Sequence, residues 1–296
     1  GLLGVRGRRV GVSASLLKVE NLGVTYRVGR RTVAAVKGAS FELAPGRCLG
    51  VVGESGSGKS SLARAILALE DGATGRVEFA GQDVLALPRA ERFAFRRRAQ
   101  MVFQDPLGSL NPRLTAGAAL AEVLRVHGLA RTRAAAEEQA ARWLATVGLD
   151  AAYARRFPHE LSGGQRQRVN LARALCVGAE FLVADEPVSA LDVSVQAQIL
   201  NLLKSLQETR GIAWLLIGHD LAAMRHMADE VLVMKAGEVV ERGPADDVLS
   251  RPSHPYTREL LAAAPHVARS LARRASLGLL EPSSPVQDGA STCAKK

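Results

Sequence analysis

The sequence predicts an α/β fold in which a mostly parallel sheet carries a phosphate-binding loop. Two observations lead to this class. Short apolar runs that are typical of buried strands alternate with longer helical patterns along residues 161–217. One such run, residues 49–52, is followed directly by the glycine-rich segment 53–61 and then by an apolar helical pattern. A strand, a glycine-rich loop and a helix N-terminus in this order form a cradle for phosphate groups.

The glycine-rich segment has the full pattern G-x-x-x-x-G-K-S. Its residues are Gly53, Glu54, Ser55, Gly56, Ser57, Gly58, Lys59, Ser60 and Ser61. Glycines bring backbone N–H groups close to an anion, and the following helix adds the positive end of its dipole. Lys59 suits the β- and γ-phosphates, and the Ser60 hydroxyl suits Mg²⁺. A merely flexible Gly/Ser-rich loop is the alternative, but the flanking strand and helix favour a nucleoside triphosphate site.

Alternating apolar runs upstream of this loop predict a layer of short antiparallel strands. They lie at residues 17–19, 24–26, 33–36 and 39–43, before a turn at Pro45 and Gly46. Tyr26 lies 27 residues before Gly53 and could stack on a nucleotide base. An aromatic packed in the core explains the same residue equally well from spacing alone.

Between the loop and residue 161 the pattern changes from strands to helices. A strand is predicted at 75–79, then a basic helix at 89–98 that we interpret as a solvated face. A short strand at 101–103 leads into Gln104. Residues 113–158 are rich in Ala, Leu, Glu and Arg and contain no strand-like run, so we expect a helical insert over about 105–178.

A second glycine-containing segment precedes an amphipathic helix at 166–178. Its residues are Leu161, Ser162, Gly163, Gly164 and Gln165. Ser162 is suited to cap the helix, and the two glycines expose backbone N–H groups. This helix start could bind an anion, although a simple helix cap is the alternative. A further helix at 195–207 and a closing hairpin at 231–241 complete the pattern.

Polar residues follow two buried strands at their carboxyl ends. The run 181–184 leads into Asp185 and Glu186, and the run 214–217 leads into Gly218 and His219. In α/β nucleotide sites, acids at such strand ends hold the metal ion and supply the base. His219 taken alone could equally be a core histidine.

Composition limits the possible functions further. The chain has 296 residues and a net charge of +10, and 32 of its 39 basic residues are Arg. A basic chain could bind nucleic acid or an anionic membrane surface. Aromatic residues make up only 4%, and no nucleic-acid-binding motif is visible, so we expect no nucleic-acid partner. No apolar run approaches the roughly 18–20 residues of a membrane span, and we expect residues 1–15 to be a flexible leader.

The three cysteines do not suggest a disulfide framework. Cys48, Cys176 and Cys293 are odd in number and far apart, and we expect the first two to fill the core. A single cysteine in the tail does not support an iron–sulfur centre, which needs several thiolates.

Taken together, the motifs resemble the ATPase subunit of an ABC transporter. They are GESGSGKS, FQD, LSGGQ, VADE, SALD and GHD, in this order across about residues 17–265. The stretches 103–113, 187–203 and 250–265 are similar to the oligopeptide, dipeptide and nickel importer family, and most of all to the second of its two paired ATPases. The resemblance implies a P-loop NTPase domain over 16–265 with a RecA-like core, an antiparallel β layer and a helical subdomain. A C-terminal tail over 266–296 follows.

The resemblance also implies roles for single residues. Glu186 corresponds to the general base and His219 to the residue that contacts the γ-phosphate. Ser60 and Asp185 correspond to the groups that hold Mg²⁺. The remaining roles fall on Lys59 at the phosphates of ATP, Gln104 at Mg²⁺ or the attacking water, and Tyr26 at the adenine ring.

In that family the ATP site is shared between two chains. The resemblance implies that Leu161 to Gln165 and Asp192 serve the ATP site of a paired ATPase, in a heterodimer that encloses two ATP molecules. It also implies two membrane permeases, an extracytoplasmic solute-binding protein, and a peripheral position on the cytoplasmic face of the inner membrane. The helix at 89–98 and the segment 104–113 are candidate permease contacts. We therefore expect the isolated chain to bind ATP but to hydrolyse it slowly.

Two other functions stay open at this point. A soluble ABC ATPase acting on nucleic acid or ribosomes would show salt-sensitive stimulation by nucleic acid. A nucleotide-sensing regulatory subunit would show little turnover, and the presence of Glu186 speaks against it. We expect dipeptides or oligopeptides as the transported solute, with nickel or another small solute as the alternative, because other subunits select the cargo.

Overall fold

Two sheets organise the chain. The computed structural model describes residues 15–29, 31–189 and 191–263, so the predicted leader, apart from residue 15, and the predicted tail with Cys293 lie outside the described residues. The strands of the described part are β1 (Leu17–Val28), β2 (Arg31–Leu43), β3 (Cys48–Val52), β4 (Ala73–Phe79), β5 (Gln82–Asp83), β6 (Ala99–Val102), β7 (Phe181–Asp185), β8 (Ala213–Ile217), β9 (Glu230–Lys235) and β10 (Glu238–Pro244).

The first sheet is antiparallel, with strand order β2-β1-β4-β5. The predicted β layer is present, but β1 and β2 are two long strands rather than four short ones. Their pairing shifts register around Leu22 and Val24, and Asn21 has a positive φ of 48°. These irregularities interrupt the two-residue alternation of side chains, which is why the sequence pattern appeared as separate runs.

The second sheet has the order β10-β9-β3-β8-β7-β6. Strands β9, β3, β8, β7 and β6 are parallel, and β10 pairs with β9 in antiparallel fashion. The prediction of a mostly parallel sheet is therefore confirmed. Because the carboxyl ends of parallel strands meet at one edge, this sheet brings together the loops that follow β3, β7 and β8.

The described residues also form nine α-helices. They are α1 (Lys59–Ile66), α2 (Arg89–Arg98), α3 (Ala116–Val126), α4 (Arg133–Thr146), α5 (Gly163–Leu175), α6 (Val193–Arg210), α7 (Leu221–Met227), α8 (Ala245–Ser250) and α9 (Pro255–Ala263). Helices α7, α8 and α9 were not predicted from the sequence. Helix α5 begins at Gly163, three residues before its predicted start, because two glycines at a helix start lower its apparent helix propensity. None of the described helices is both long and apolar enough to cross a membrane.

Each parallel strand contributes to two separate cores. Along β3, Leu49 and Val51 join α1 and the antiparallel sheet, while Cys48 and Val52 join the core that contains α3 to α8. Both Cys48 and Cys176 are buried free thiols, as predicted. Burial raises the pKa of both thiols, that of Cys176 to about 12, so both stay protonated at neutral pH.

Helix α2 differs from its predicted role as a solvated face. Three of its arginines are half-buried and tie the helix to neighbouring segments. Arg96 donates to the carbonyl of Ala68 at 2.7 Å, and Arg97 donates to the carbonyl of Val177 at 2.9 Å. Arg98 makes a two-pronged pair with Glu180 at 2.7 and 2.8 Å. The periodic pattern of positive charge could not indicate these partners, because they lie in distant parts of the chain.

Candidate nucleotide-binding and hydrolysis site

The loop between β3 and α1 is shaped for close approach of an anion. Gly58 has a φ of 104°, and a Cβ atom on it would lie 2.2 Å from the carbonyl oxygen of Ala35. Only glycine fits there. Helix α1 begins at the next residue without a side-chain cap, so its first N–H groups have no partner within the helix. Strand β3, the tight loop and the open helix start therefore form the predicted phosphate cradle.

Lys59 folds back into this loop. Its Nζ donates to the carbonyl oxygens of Gly53 at 2.8 Å and Glu54 at 2.7 Å, and its contact with Ser57 Oγ is 3.4 Å. Burial lowers the pKa of Lys59, against the opposing charges of Glu186, Asp185 and Glu54. The ammonium group of Lys59 thus lies within the phosphate loop and is bound to two loop carbonyls. Phosphate oxygens could replace these carbonyls as its partners.

Asp185 ends strand β7 beside the start of α1. Burial raises the pKa of Asp185, and a hydrogen bond from the Ser60 side chain opposes this shift. Ser60 and Asp185 line the same cavity. Both are oxygen donors, which is the ligand type that Mg²⁺ prefers.

Glu186 stands at the centre of a group that comes from three segments. Its Oε2 accepts from Gln104 Nε2 at 2.8 Å, and its Oε1 lies 3.1 Å from His219 Nδ1. An ionised carboxylate only accepts hydrogen bonds, so a hydrogen bond between these two groups requires the His219 tautomer with its proton on Nδ1. Glu186 also has a positive φ of 46°, and its N–H donates to the carbonyl of Ile217 at 2.9 Å. Such strained backbone is concentrated at functional sites.

These residues line one cavity of about 710 Å³. Its volume is within the range of small-molecule sites. The predicted residues on its wall are Gly53, Glu54, Ser55, Gly56, Gly58, Lys59, Ser60, Ser61, Gln104, Asp185, Glu186 and His219. The structure thus brings the phosphate loop, the strand-end acids, Gln104 and His219 together, although up to 166 positions separate them in the sequence.

The segment from Leu161 to Gln165 does not line this cavity. Ser162 caps α5, with Gln165 N donating to Ser162 Oγ at 3.3 Å and Ser162 N donating to Gln165 Oε1 at 2.9 Å. This reciprocal capping box confirms Ser162 as the N-cap. A Cβ atom on Gly164 would lie 2.4 Å from a methyl carbon of Val195, so the helix start packs closely against α6.

Asp192 and Tyr26 also lie off the cavity wall. Asp192 caps α6, where its Oδ1 accepts from Val195 N at 3.0 Å and from Ser194 Oγ at 2.7 Å. Tyr26 is half-buried in β1, and burial raises the pKa of its hydroxyl, with Ser61 and Glu70 as polar neighbours. Adenine stacking by Tyr26 stays a prediction.

The wall also contains residues that sequence reasoning missed. Ala35, Leu221, Leu260 and Ala263 contribute to it, and the last two come from α9. Behind the wall, the Tyr256 hydroxyl accepts a hydrogen bond from Glu54 N at 3.1 Å. No role at the site was predicted for Tyr256, because the stretch 250–265 indicated only a family resemblance. An aromatic residue in a polar segment was a weak signal that something buries it there.

Comparison with known protein families agrees with this geometry. A model described as "ABC transporter" matches residues 36–189, and one described as "Oligopeptide/dipeptide transporter, C-terminal region" matches residues 240–293. The chain belongs to the ABC transporter ATPase family. ATP binding and hydrolysis are the activity of that family's nucleotide-binding subunit, which confirms the class of protein predicted from the motifs.

Its relatives include named transport subunits. The chain is 46% identical over 255 residues to the oligopeptide transport ATP-binding protein OppF of Bacillus subtilis, covering 86% of this chain and 84% of the relative. It is 44% identical over 251 residues to OppF of Streptococcus mutans, covering 84% of this chain and 82% of the relative. The fit over most of both proteins places this ATPase among OppF-like subunits.

A solved structure supports the same fold. The dimeric ATP-binding cassette MJ0796, in a post-hydrolysis state with ADP and Pi bound, has a TM-score of 0.70 and 30% sequence identity to this chain. The similarity covers 77% of this chain and 98% of that one. The ABC-type α/β architecture predicted from the sequence is therefore confirmed.

Proposed function

We propose that this ATPase energises a bacterial importer of dipeptides or oligopeptides, and that Glu186 is its general base. One observation carries the catalytic part of the proposal. The Glu186 carboxylate is held between Gln104 and His219 at the wall of the cavity that contains Lys59. The names of the OppF relatives and the matching C-terminal region support peptides as the solute. Nickel or another small solute is the alternative.

The chemistry follows from the positions of charge. A water molecule attacks the γ-phosphorus of ATP, the bond to the bridging oxygen breaks, and ADP leaves. Glu186 takes the proton that the water gives up, while Lys59 stabilises negative charge on the phosphoryl oxygens. His219 is held by Glu186 in the described arrangement and is the proposed γ-phosphate contact.

The donor set fits Mg²⁺. Ser60, Asp185 and Gln104 offer a hydroxyl, a carboxylate and an amide oxygen, and when bound the ion would neutralise charge on the β- and γ-phosphates.

We further propose that Leu161 to Gln165 and Asp192 serve the ATP site of a paired ATPase in a heterodimer. Two permeases would anchor the pair at the cytoplasmic face of the inner membrane, and an extracytoplasmic binding protein would deliver the solute. The capped start of α5 has backbone N–H groups without helical partners, which is the arrangement that binds anions. The start of α5 does not line the cavity of its own chain, which is consistent with a role at the ATP site of a second chain.

The proposed function is tested with the assembled transporter in lipid vesicles. We expect the rate of ATP hydrolysis by the complex to exceed that of the isolated chain by roughly 10²-fold. Hydrogen-bond donors that stabilise developing negative charge in a transition state typically contribute a factor of about this size. A peptide-loaded binding protein should stimulate it further and drive peptide uptake, whereas a nickel-loaded one should not. Uptake of nickel without peptide uptake would overturn the choice of solute, and full turnover by a strictly monomeric preparation would overturn the shared site.

Ser162 allows the capping role to be separated from the proposed role at a second chain. Aspartate caps helices about as well as serine, so Ser162→Asp should leave the unfolding temperature unchanged. Its charge would repel the γ-phosphate of the paired subunit's ATP, and we expect hydrolysis by the complex to fall by roughly 10²-fold. Thermal unfolding and steady-state ATPase assays measure the two effects.

Thr132→Asp is the matched control for this change. Thr132 caps α4 in the same way, with its hydroxyl accepting from Ala135 N at 3.2 Å, and the change should affect neither stability nor turnover. Wild-type hydrolysis by the Ser162→Asp complex would contradict the shared-site proposal.

A further inference from the structure

The C-terminal part of the described chain reaches back to the phosphate loop through one side chain. Tyr256 lies near the start of α9, is 3% exposed, and accepts a hydrogen bond from Glu54 N at 3.1 Å. Leu260 and Ala263 of the same helix continue onto the cavity wall. Helix α9 is thus part of the nucleotide site, although it lies outside the segment that matches the ABC transporter model.

Glu54 is hydrogen-bonded through both its backbone N–H and its backbone carbonyl. Its carbonyl accepts from Lys59 Nζ at 2.7 Å and from Ser57 N at 3.2 Å, and its N–H is taken by Tyr256. When phosphate oxygens become the partners of Lys59, this carbonyl loses one of its donors. The Glu54 N–H belongs to the preceding peptide unit, whose Gly53 carbonyl also accepts from Lys59 Nζ at 2.8 Å. Tyr256 therefore holds the N–H end of a peptide unit whose carbonyl end changes partners.

The ring of Tyr256 is in contact with the end of β9. The ammonium group of Lys235 lies 4.4 Å from the centre of the Tyr256 ring, within the range of a cation–π interaction. Lys235 is the last residue of β9, and Gly237 of the turn that follows donates to Ser57 O at 2.9 Å. The turn and the tyrosine therefore support adjacent parts of the loop.

A carboxylate in β10 fixes the chain just before Tyr256. Glu241 Oε1 accepts from Ser253 N and from Ser253 Oγ, both at 2.7 Å, and its Oε2 accepts from His254 N at 3.2 Å. Burial disfavours the Glu241 carboxylate, but the hydrogen bonds that it accepts from Ser253 and His254 outweigh this, and its pKa is lowered to about 2. The carboxylate is therefore charged, and the segment stays clamped, throughout the neutral range.

We propose that Tyr256 is a positioning residue for ATP binding. Its hydroxyl holds the Glu54 peptide in place while Lys59 exchanges loop carbonyls for phosphate oxygens, so the loop needs little ordering when ATP binds. Glu241 acts through Tyr256, by clamping the segment that carries it. This inference deepens the proposed site: it requires ATP in the cavity but depends on no particular transported solute.

Tyr256→Phe tests the inference because it removes only the hydroxyl and keeps the ring. The loss of one hydrogen bond to a loop amide should weaken ATP binding by the isolated full chain roughly three- to tenfold in Kd, measured by titration calorimetry with Mg²⁺ present. Hydrogen exchange at the Glu54 amide should become faster, while the unfolding temperature without nucleotide changes little. Tyr153→Phe deletes a hydroxyl that accepts from Gln165 Nε2 at 3.0 Å and should leave ATP affinity unchanged.

A double-mutant cycle separates positioning from general support of the fold. Glu241→Ala should weaken ATP binding. The variant that carries both Tyr256→Phe and Glu241→Ala should have a Kd no higher than that of the single variant with the higher Kd, because both changes remove the same restraint. An unchanged Kd in Tyr256→Phe, or effects that multiply in the double variant, would overturn the inference. Either result concerns ATP binding alone, so it would leave the proposal of peptide import standing, and a failure of peptide uptake would leave this inference standing.

Discussion

Glu186→Gln should lower the rate of ATP hydrolysis by the assembled complex by roughly 10²–10⁴-fold, the contribution typical of a positioned general base. Glutamine has the same shape as glutamate and can still contact Gln104 and His219, but it cannot accept a proton from water. ATP affinity should stay within about twofold of the wild type, because the removed step follows binding. Single-turnover hydrolysis and equilibrium binding of ATP measure the two quantities, and we expect ATP to be trapped without turnover.

Glu180→Gln is the matched control for this prediction. Glu180 immediately precedes the same strand at its opposite end and pairs with Arg98 on the surface, away from the cavity. Its replacement should leave the hydrolysis rate unchanged. Normal hydrolysis by the Glu186→Gln complex would remove Glu186 as the base and would direct attention to His219.

Lys59→Ala should weaken ATP binding by 10²-fold or more. Charge-assisted hydrogen bonds contribute roughly 1.5–3 kcal/mol each, and the ammonium group can offer two of them to the β- and γ-phosphates. The change also leaves the Gly53 and Glu54 carbonyls without their present donor. Calorimetric titration of the isolated chain with ATP and Mg²⁺ measures the loss.

Lys37→Ala controls for the loss of a positive charge near the loop. Lys37 pairs with Glu238 at 3.1 Å on the surface, its backbone N–H donates to Gly237 O at 2.8 Å, and its side chain does not line the cavity. We expect ATP affinity to be unaffected. Wild-type affinity in Lys59→Ala would contradict the placement of the triphosphate in this loop.

Much of the fold could be predicted because its signals are local. Residues 49–61 show the apolar strand, the glycine pattern and the helix start in one continuous stretch, and the structure confirms all three. Ser162 was also predicted correctly as the cap of α5, because a cap and its partner lie within one helical turn, although the predicted helix itself began three residues late. The two long strands β1 and β2 were read as four, since bulges break the alternation on which the pattern depends.

The arginines of α2 illustrate the opposite case. Their spacing predicted a helix over 89–98, and α2 has those limits. The solvated face was wrong for Arg96 and Arg97, whose acceptors lie 28 and 80 positions away. The spacing of long polar side chains along a helix is the same whether their polar ends contact water or a carbonyl from a distant part of the chain.

The sequence by itself determined the class of protein, the phosphate cradle and the identity of the strand-end acids. Only the tertiary structure decided how these groups meet. Gln104 and Glu186 are 82 positions apart, and Tyr256 and Glu54 are 202 positions apart, yet each pair is joined by a hydrogen bond. The reason is physical: a motif is set by backbone geometry within a few residues, whereas such contacts depend on how the parallel sheet and α9 pack. A pattern along the chain does not indicate that packing.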